Sequence, residues 1–299
     1  MKVLATRRYP GPAFDELDDV EVLPAAGLEG QRPDVEGLIV ANEAVLFDLL
    51  PRLSIVANFG VGYDRIDLAA CAQRGIVVTN TPGVLDSATA DLAFALVLAA
   101  RRRVVEGDRI VRAGRWSGSW SEGVLAEELS GSTLGIVGLG RIGAAVAHRA
   151  RGFDLRVLYT QRRRADTDLA EYRELDALLA EVDVVTIHAP LTAETEGLID
   201  AHRLALLRDG ACLVNTARGE IVDEPALVAE LVSGRIRAGL DVFAREPHVP
   251  PELLELPNVV LTPHFGSATR QTREAMTRLV VDNLRAFERG APPLTPVSP

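Results

Sequence analysis

The run Gly138-Leu139-Gly140-Arg141-Ile142-Gly143 places three glycines at a spacing that lets a backbone wrap around a pyrophosphate. It directly follows the apolar stretch 134–137 and opens a helical stretch at 142–150. In such a turn the first glycine permits the tight bend, the second lets the chain approach the phosphates, and the third lets helix and strand pack closely. The helix start adds free N–H groups and the positive end of its dipole. Gly138, Gly140, Arg141, Ile142 and Gly143 are therefore expected to hold a dinucleotide. Three later segments carry titratable residues beside turn signals: 215–220 with Thr216 and Arg218, 239–247 with Asp241 and Glu246, and 262–269 with His264 and Gly266. All three lie at or just past apolar strands, where open α/β sheets place their ligands.

The type of dinucleotide is read from the next strand, expected at 156–159, which runs on as Thr160-Gln161-Arg162-Arg163-Arg164. An NAD enzyme normally places Asp or Glu here to accept hydrogen bonds from the adenosine ribose. The nearest acid, Asp166, lies well beyond the strand end. A carboxylate would repel the 2′-phosphate of NADP, whereas guanidinium groups can clamp it. One charge pair at ~4 Å is worth up to about 4 kcal/mol before desolvation costs, at an effective dielectric near 20. A quarter of that decides the preference. NADP(H) is the expected cofactor, with NAD(H) a weaker substitute; Arg162 is the expected clamp, assisted by Thr160 and Arg163.

Short strand-like runs alternate with helical stretches along the whole chain, which predicts an α/β protein with parallel sheets. A first series has strands at 2–5, 20–23, 37–40, 54–58 and 77–80, with helices at 44–50 and 68–74. A long amphipathic helix is expected over 88–112. A second series has strands at 134–137, 156–159, 183–188, 212–215, 238–242 and 259–261. The final helix, 271–289, stops at Gly290 before a Pro-rich tail. Two sheets imply two domains, with a cleft between them as the preferred ligand site.

The 299 residues are 47% hydrophobic and 25% charged, the balance of an ordinary globular enzyme. A net charge of −10 argues against nucleic-acid binding. The longest apolar run, 92–100, is well short of the ~20 residues needed to span a bilayer. The N-terminus lacks the apolar core of a signal peptide. Cys71 and Cys212 have no paired spacing, so no disulfide framework and no metal site are expected. They read as buried, reduced thiols in a cytoplasmic protein.

The wording and spacing of these segments resemble the D-isomer-specific 2-hydroxyacid dehydrogenases. The resemblance runs from Asn58-Phe59-Gly60-Val61-Gly62-Tyr63-Asp64 to the terminal helix. The run Asn80-Thr81-Pro82-Gly83-Val84-Leu85 and the arginine-bearing segment are most similar to the glyoxylate and hydroxypyruvate reductases of that family. The resemblance implies a Rossmann-type dinucleotide-binding domain over 94–271 and a flavodoxin-like substrate domain built from 1–93 and 272–299. It also implies a homodimer, for which the helix at 88–112 could supply the interface.

The catalytic set implied by the resemblance is Arg218, Glu246 and His264, and the chemistry agrees. Reduction of a 2-oxo acid needs a hydride on the carbonyl carbon and a proton on its oxygen. His264 can supply the proton, and Glu246 would orient the ring and favour the imidazolium. Arg218 can grip the substrate carboxylate and polarise the adjacent carbonyl. By the same resemblance Val61 and Gly62 contact the carboxylate, and the two small glycines of that turn leave backbone N–H groups open to an anion. Thr89, Pro190, Thr216, Asp241 and Gly266 fall at positions lining the cofactor. Phe59 and Phe265 depart from the family pattern and are expected to trim the pocket. Trp116 and Trp120 either cover the site or belong to a plain surface loop. The implied activity is NADPH-dependent reduction of glyoxylate, hydroxypyruvate or a similar acid to the D-2-hydroxy acid. Two alternatives remain at this point. One is an NAD-dependent D-2-hydroxyacid or phosphoglycerate-type dehydrogenase, disfavoured by the missing acid near Gln161. The other is a corepressor-like cofactor sensor, disfavoured by the short stretch after the last helix.

Overall fold

Strands such as Ile55–Asn58 and Val184–Ile187 are buried at every position, as a strand covered on both faces requires. The computed structural model describes residues 1–118 and 125–298. It divides into two units, Met1–Asp86 with Ser267–Pro299, and Ser87–Gly266. The junctions lie a few residues from those expected at 93 and 271.

In the first unit β1 (Val3–Ala5), β2 (Val20–Val22), β3 (Gly37–Val40), β4 (Ile55–Asn58) and β5 (Val77–Thr79) form a parallel sheet. Its order, β2-β1-β3-β4-β5, is that of a flavodoxin-like fold. Helix α1 (Leu68–Gln73) starts where the Asp67 side chain accepts the Ala70 N–H at 2.8 Å. Helix α8 (Arg270–Glu288) is capped by Thr269 and packs against β4. The Pro-rich tail is not plain coil: β13 (Pro296–Val297) pairs antiparallel with β5. It occupies a sheet edge, where a proline lacking an N–H is tolerated. The helix expected at 44–50 is only a 3-10 turn, Phe47–Leu49. Pro51 follows directly and biases Leu50 away from helical geometry.

In the second unit the helix expected over 88–112 is two helices, α2 (Asp86–Arg101) and α3 (Val104–Arg112). Arg103 between them adopts φ +54°, a left-handed conformation that ends one helix and starts the next. Seven parallel strands follow: β6 (Thr133–Val137), β7 (Arg156–Thr160), β8 (Glu171–Tyr172), β9 (Val184–Ile187), β10 (Cys212–Asn215), β11 (Arg237–Leu240) and β12 (Val259–Leu261). Helices α4 (Arg141–Arg151), α5 (Leu175–Glu181), α6 (Ala201–Leu206) and α7 (Glu224–Val232) connect them. The order β8-β7-β6-β9-β10-β11-β12 is the doubly wound Rossmann arrangement, and it reverses direction between β6 and β9. Leu134, Ile136, Val184 and Val214 pack on one face against Phe94, Val97 and Val146. Val137, Val185, Ile187 and Leu213 pack on the other against Leu178, Leu204 and Leu231.

Cys71 and Cys212 are free and buried, and burial pushes the Cys212 thiol up to about 12. Among the described residues no helix is long and apolar enough to cross a membrane. Trp116 is 72% exposed, and Trp120 lies outside the described residues.

Candidate active site

The glycine turn between β6 and α4 owes its shape to close approaches. Gly138 has φ +95°, and a Cβ there would lie 2.8 Å from the His188 carbonyl oxygen. A Cβ at Gly143 would lie 2.2 Å from the Gly138 oxygen, so α4 can start only if that position has no side chain. At Gly140 the opposite holds, since a Cβ would meet nothing within 4 Å. The N–H groups of Arg141, Ile142 and Gly143, at the start of α4, have no acceptor among the described residues. An open space beside unpaired donors and a positive helix end suits a pyrophosphate.

Beyond β7 the chain is tied back to this turn. Thr160 is buried, and its carbonyl accepts the Gly138 N–H at 2.9 Å. Gln161 takes the place where an acid would bind ribose. Its Oε1 accepts the Leu139 N–H at 3.1 Å and its Nε2 donates to the Arg163 carbonyl at 2.6 Å. Arg164 is engaged, its guanidinium lying 4.2 Å from the Tyr172 ring centroid. Arg162 and Arg163 are exposed. The hydrogen bond from Thr192 holds the Glu194 carboxyl below its ordinary range, and the Arg162 charge adds to the effect. The intervening turn is closed by Thr195, whose hydroxyl donates to the Pro190 carbonyl at 2.6 Å.

The three titratable segments come together at the ends of β10, β11 and β12. Asn215 folds the chain after β10 into a tight turn. Its Nδ2 donates to the Arg218 carbonyl at 2.8 Å, and its Oδ1 accepts the Ala217 N–H at 3.0 Å. A Cβ on Gly219 would lie 2.1 Å from the Phe243 carbonyl carbon, so the Arg218 turn rests directly on the backbone leading to Glu246. Glu246 Oε1 accepts the Phe243 N–H at 3.2 Å, and Oε2 is 2.8 Å from His264 Nδ1. Burial pushes the Glu246 carboxyl up. The His264 hydrogen bond and charge, the Phe243 N–H and the Arg218 charge outweigh it and leave the group below the usual carboxylate range.

His264 is held in a left-handed conformation, φ +55°, which a residue with a side chain adopts only under constraint. The constraint is Asp241, which is completely buried. Its carbonyl accepts the His264 N–H at 2.8 Å. Its Oδ1 accepts from the Thr262 hydroxyl at 2.6 Å and the Phe265 N–H at 2.7 Å, and its Oδ2 from the Gly266 N–H at 2.8 Å. Desolvation raises the Asp241 carboxyl despite these donors. Asp241 is expected from the family pattern to face the cofactor. Both its oxygens accept from the segment that carries His264, so it also anchors that loop. The ring itself is 48% exposed, and Nε2 has no partner among the described residues.

Thr89 lies beside Gly266, where an added Cβ would be 3.4 Å from the Thr89 methyl. The Thr216 hydroxyl is buried without a hydrogen-bond partner. An orphaned buried donor is costly, and here it joins the open space at Gly140 and the unpaired N–H groups of α4. These observations fit a bound dinucleotide. Phe265 is 51% exposed, whereas Phe59, in the first unit, is 5% exposed with its ring 4.6 Å from that of Tyr9. Phe59 thus packs into the core of its own unit. Sequence reasoning missed the tasks of Gln161, Gly219 and Asn215. The cue for each was a polar or small residue immediately after an apolar strand.

Residues 94–266 match the family described as D-isomer specific 2-hydroxyacid dehydrogenase, NAD binding domain. The glyoxylate reductase of Pyrococcus furiosus is 48% identical over 99% of this chain and 95% of that protein. The glyoxylate reductase of Thermococcus litoralis is 50% identical over 98% of this chain and 95% of its own length. An NADPH-dependent glyoxylate/hydroxypyruvate reductase from Sinorhizobium meliloti, solved with NADP and malonate, superposes with a TM-score of 0.91 at 40% identity. That match covers 99% of this chain and 96% of the other. This chain belongs to the D-isomer-specific 2-hydroxyacid dehydrogenase family. It is accordingly an NAD(P)-dependent oxidoreductase.

Proposed function

We propose that the protein reduces a small 2-oxo acid, such as glyoxylate or hydroxypyruvate, to the D-2-hydroxy acid, with NADPH as the preferred reductant. The observation that carries this reading is the 2.8 Å hydrogen bond between His264 Nδ1 and Glu246 Oε2. It fixes the ring and leaves Nε2 as the atom that exchanges a proton with substrate. The bound nicotinamide supplies the hydride. Arg218 grips the substrate carboxylate with its planar fork and draws charge toward the carbonyl oxygen. His264 delivers a proton to that oxygen. Glu246, kept ionised, accepts from Nδ1 and holds the ring in this orientation. Val61 and Gly62 present backbone N–H groups to the carboxylate.

The turn at Gly138, Gly140, Arg141, Ile142 and Gly143 receives the pyrophosphate, and Thr216, Thr89, Pro190 and Gly266 line the nicotinamide and adenosine sides. Two features support NADP(H). A neutral Gln161 stands where an acid would repel the 2′-phosphate, and Arg162 and Arg163 are exposed beside it. The relative from Sinorhizobium meliloti, solved with NADP, points the same way. A homodimer is supported by the exposed apolar residues Val104, Val111, Trp116 and Leu125 on and after α3. Sedimentation of the purified chain at twice its monomer mass checks this; a monomer at micromolar concentration rejects it.

The activity is tested with a panel of 2-oxo acids and both cofactors. The expected result is D-product formation with kcat/KM for NADPH roughly tenfold or more above that for NADH, about 1.4 kcal/mol of discrimination. Oxidation of neither cofactor with any acid of the panel rejects the reading.

A further inference from the structure

The first unit contains a group of side-chain amides whose donors all serve one short turn. Asn58, fully buried at the end of β4, accepts the Asn42 N–H on Oδ1 at 2.7 Å. Its Nδ2 donates to two carbonyls, Gly60 at 3.1 Å and Gly62 at 2.8 Å. Asn80, just after β5, donates its Nδ2 to the carbonyl between them, Val61, at 3.0 Å. Three successive carbonyls are thus turned toward asparagine amides. In a trans peptide the N–H points opposite to the C=O. The N–H groups of Val61, Gly62 and Tyr63 must therefore point away from the two asparagines. None of the three has an acceptor among the described residues, and all three residues are only half-buried. A row of unpaired backbone N–H groups facing outward is an anion-binding element.

We propose that Asn58 and Asn80 are positioning residues that set the direction of these three N–H groups, and with it the strength with which the turn holds a small carboxylate. The inference rests on the reading of Val61 and Gly62 as carboxylate contacts and says what aims them. The residue type is demanded by the geometry. Only a side chain with both a donor and an acceptor can take the Asn42 N–H and two carbonyls at once, which Asn58 does. An aspartate in its place would keep the acceptor and set a negative oxygen against the Gly60 and Gly62 carbonyls. Asn80 is itself braced, with its N–H donating to the Thr295 carbonyl at 3.2 Å and its carbonyl accepting from the Thr295 hydroxyl at 2.6 Å.

The test compares Asn58→Asp and Asn80→Ala with the wild type in the intact protein. Binding of oxalate is measured by calorimetry with and without NADP⁺, alongside KM and kcat for glyoxylate, KM for NADPH, and the thermal midpoint. Each lost donor is expected to raise the oxalate Kd and the glyoxylate KM about tenfold, with the NADPH KM within about twofold of wild type. A folded variant that binds oxalate as the wild type does overturns the inference, as does an equal loss of substrate and cofactor affinity. So does a wild type that binds no oxalate. Should Asn58→Asp fail to fold, Asn80→Ala, which removes a single donor, decides the matter. A wild type that binds oxalate and weakens in Asn58→Asp, yet reduces no 2-oxo acid, upholds the inference and removes the reductase reading. A wild type that reduces glyoxylate while both variants keep its KM does the reverse.

Discussion

The loop that carries His264 and the loop that carries Arg162 both leave strand ends of the same seven-stranded sheet, and they are built in opposite ways. In the first, Asp241 binds the backbone of His264, Phe265 and Gly266 and the hydroxyl of Thr262 from complete burial. In the second, Gln161 is tied to backbone atoms, Arg164 lies against the Tyr172 ring, and Arg162 and Arg163 are exposed. The difference follows the physics of the task proposed for each. Proton transfer depends on hydrogen-bond reach, so displacement by about 1 Å can cost on the order of a hundredfold in rate. Selection by charge acts over several ångströms and tolerates motion.

The sharpest break in this contrast comes from His264→Ala. A loss of about 10²–10⁴-fold in kcat with an unchanged NADPH KM is expected in steady-state assays. A variant keeping a tenth of wild-type kcat would place the proton donor elsewhere. Next in size is Asp241→Asn, which sets an amide against N–H groups that need an acceptor. A buried donor left unpaired costs about 1–3 kcal/mol. The thermal midpoint should fall, and kcat should drop about 10–100-fold as the His264 loop relaxes. An unchanged kcat would show that the anchor is dispensable.

For the arginine loop, Arg162→Asp should raise the NADPH KM roughly tenfold and leave the NADH KM nearly unchanged. Added salt should narrow the wild-type preference, because exposed charges are screened at a Debye length of about 8–10 Å. An equal effect on both cofactors would remove the 2′-phosphate assignment. The smallest expected effect is acid-dependent stability at Glu246. Its carboxyl lies below the ordinary value of 4.5 in the folded protein. Its contribution is therefore fully present above that value and fades as pH falls through the lowered one. The melting difference between wild type and Glu246→Gln should be largest near neutrality and close in acid. A difference that grows in acid would contradict the sign.

Much of this site could be read from short patterns, because the glycine turn and the Arg218, Glu246 and His264 segments each sit within a few residues of a strand. The role of Asp241 could not. Its partners lie more than twenty residues on, and three of them are backbone N–H groups, which carry no mark of residue type. The break at Arg103 was equally hidden, since arginine is a good helix former and its left-handed turn is set by surroundings rather than propensity. Arg164 reads as part of a basic run, and only the fold reveals that Tyr172 has claimed it.

The division of the first unit around the second also fixes an order of events on the ribosome. Residues 1–86 emerge first, but α8 and β13 follow only after all of Ser87–Gly266 has been translated. At about 5–20 residues per second that is a wait of roughly 10–40 s. Throughout it β4 lacks α8, β5 lacks its edge partner, and Asn80 lacks Thr295. The dinucleotide unit can settle while the first unit still lacks its last helix and its edge strand.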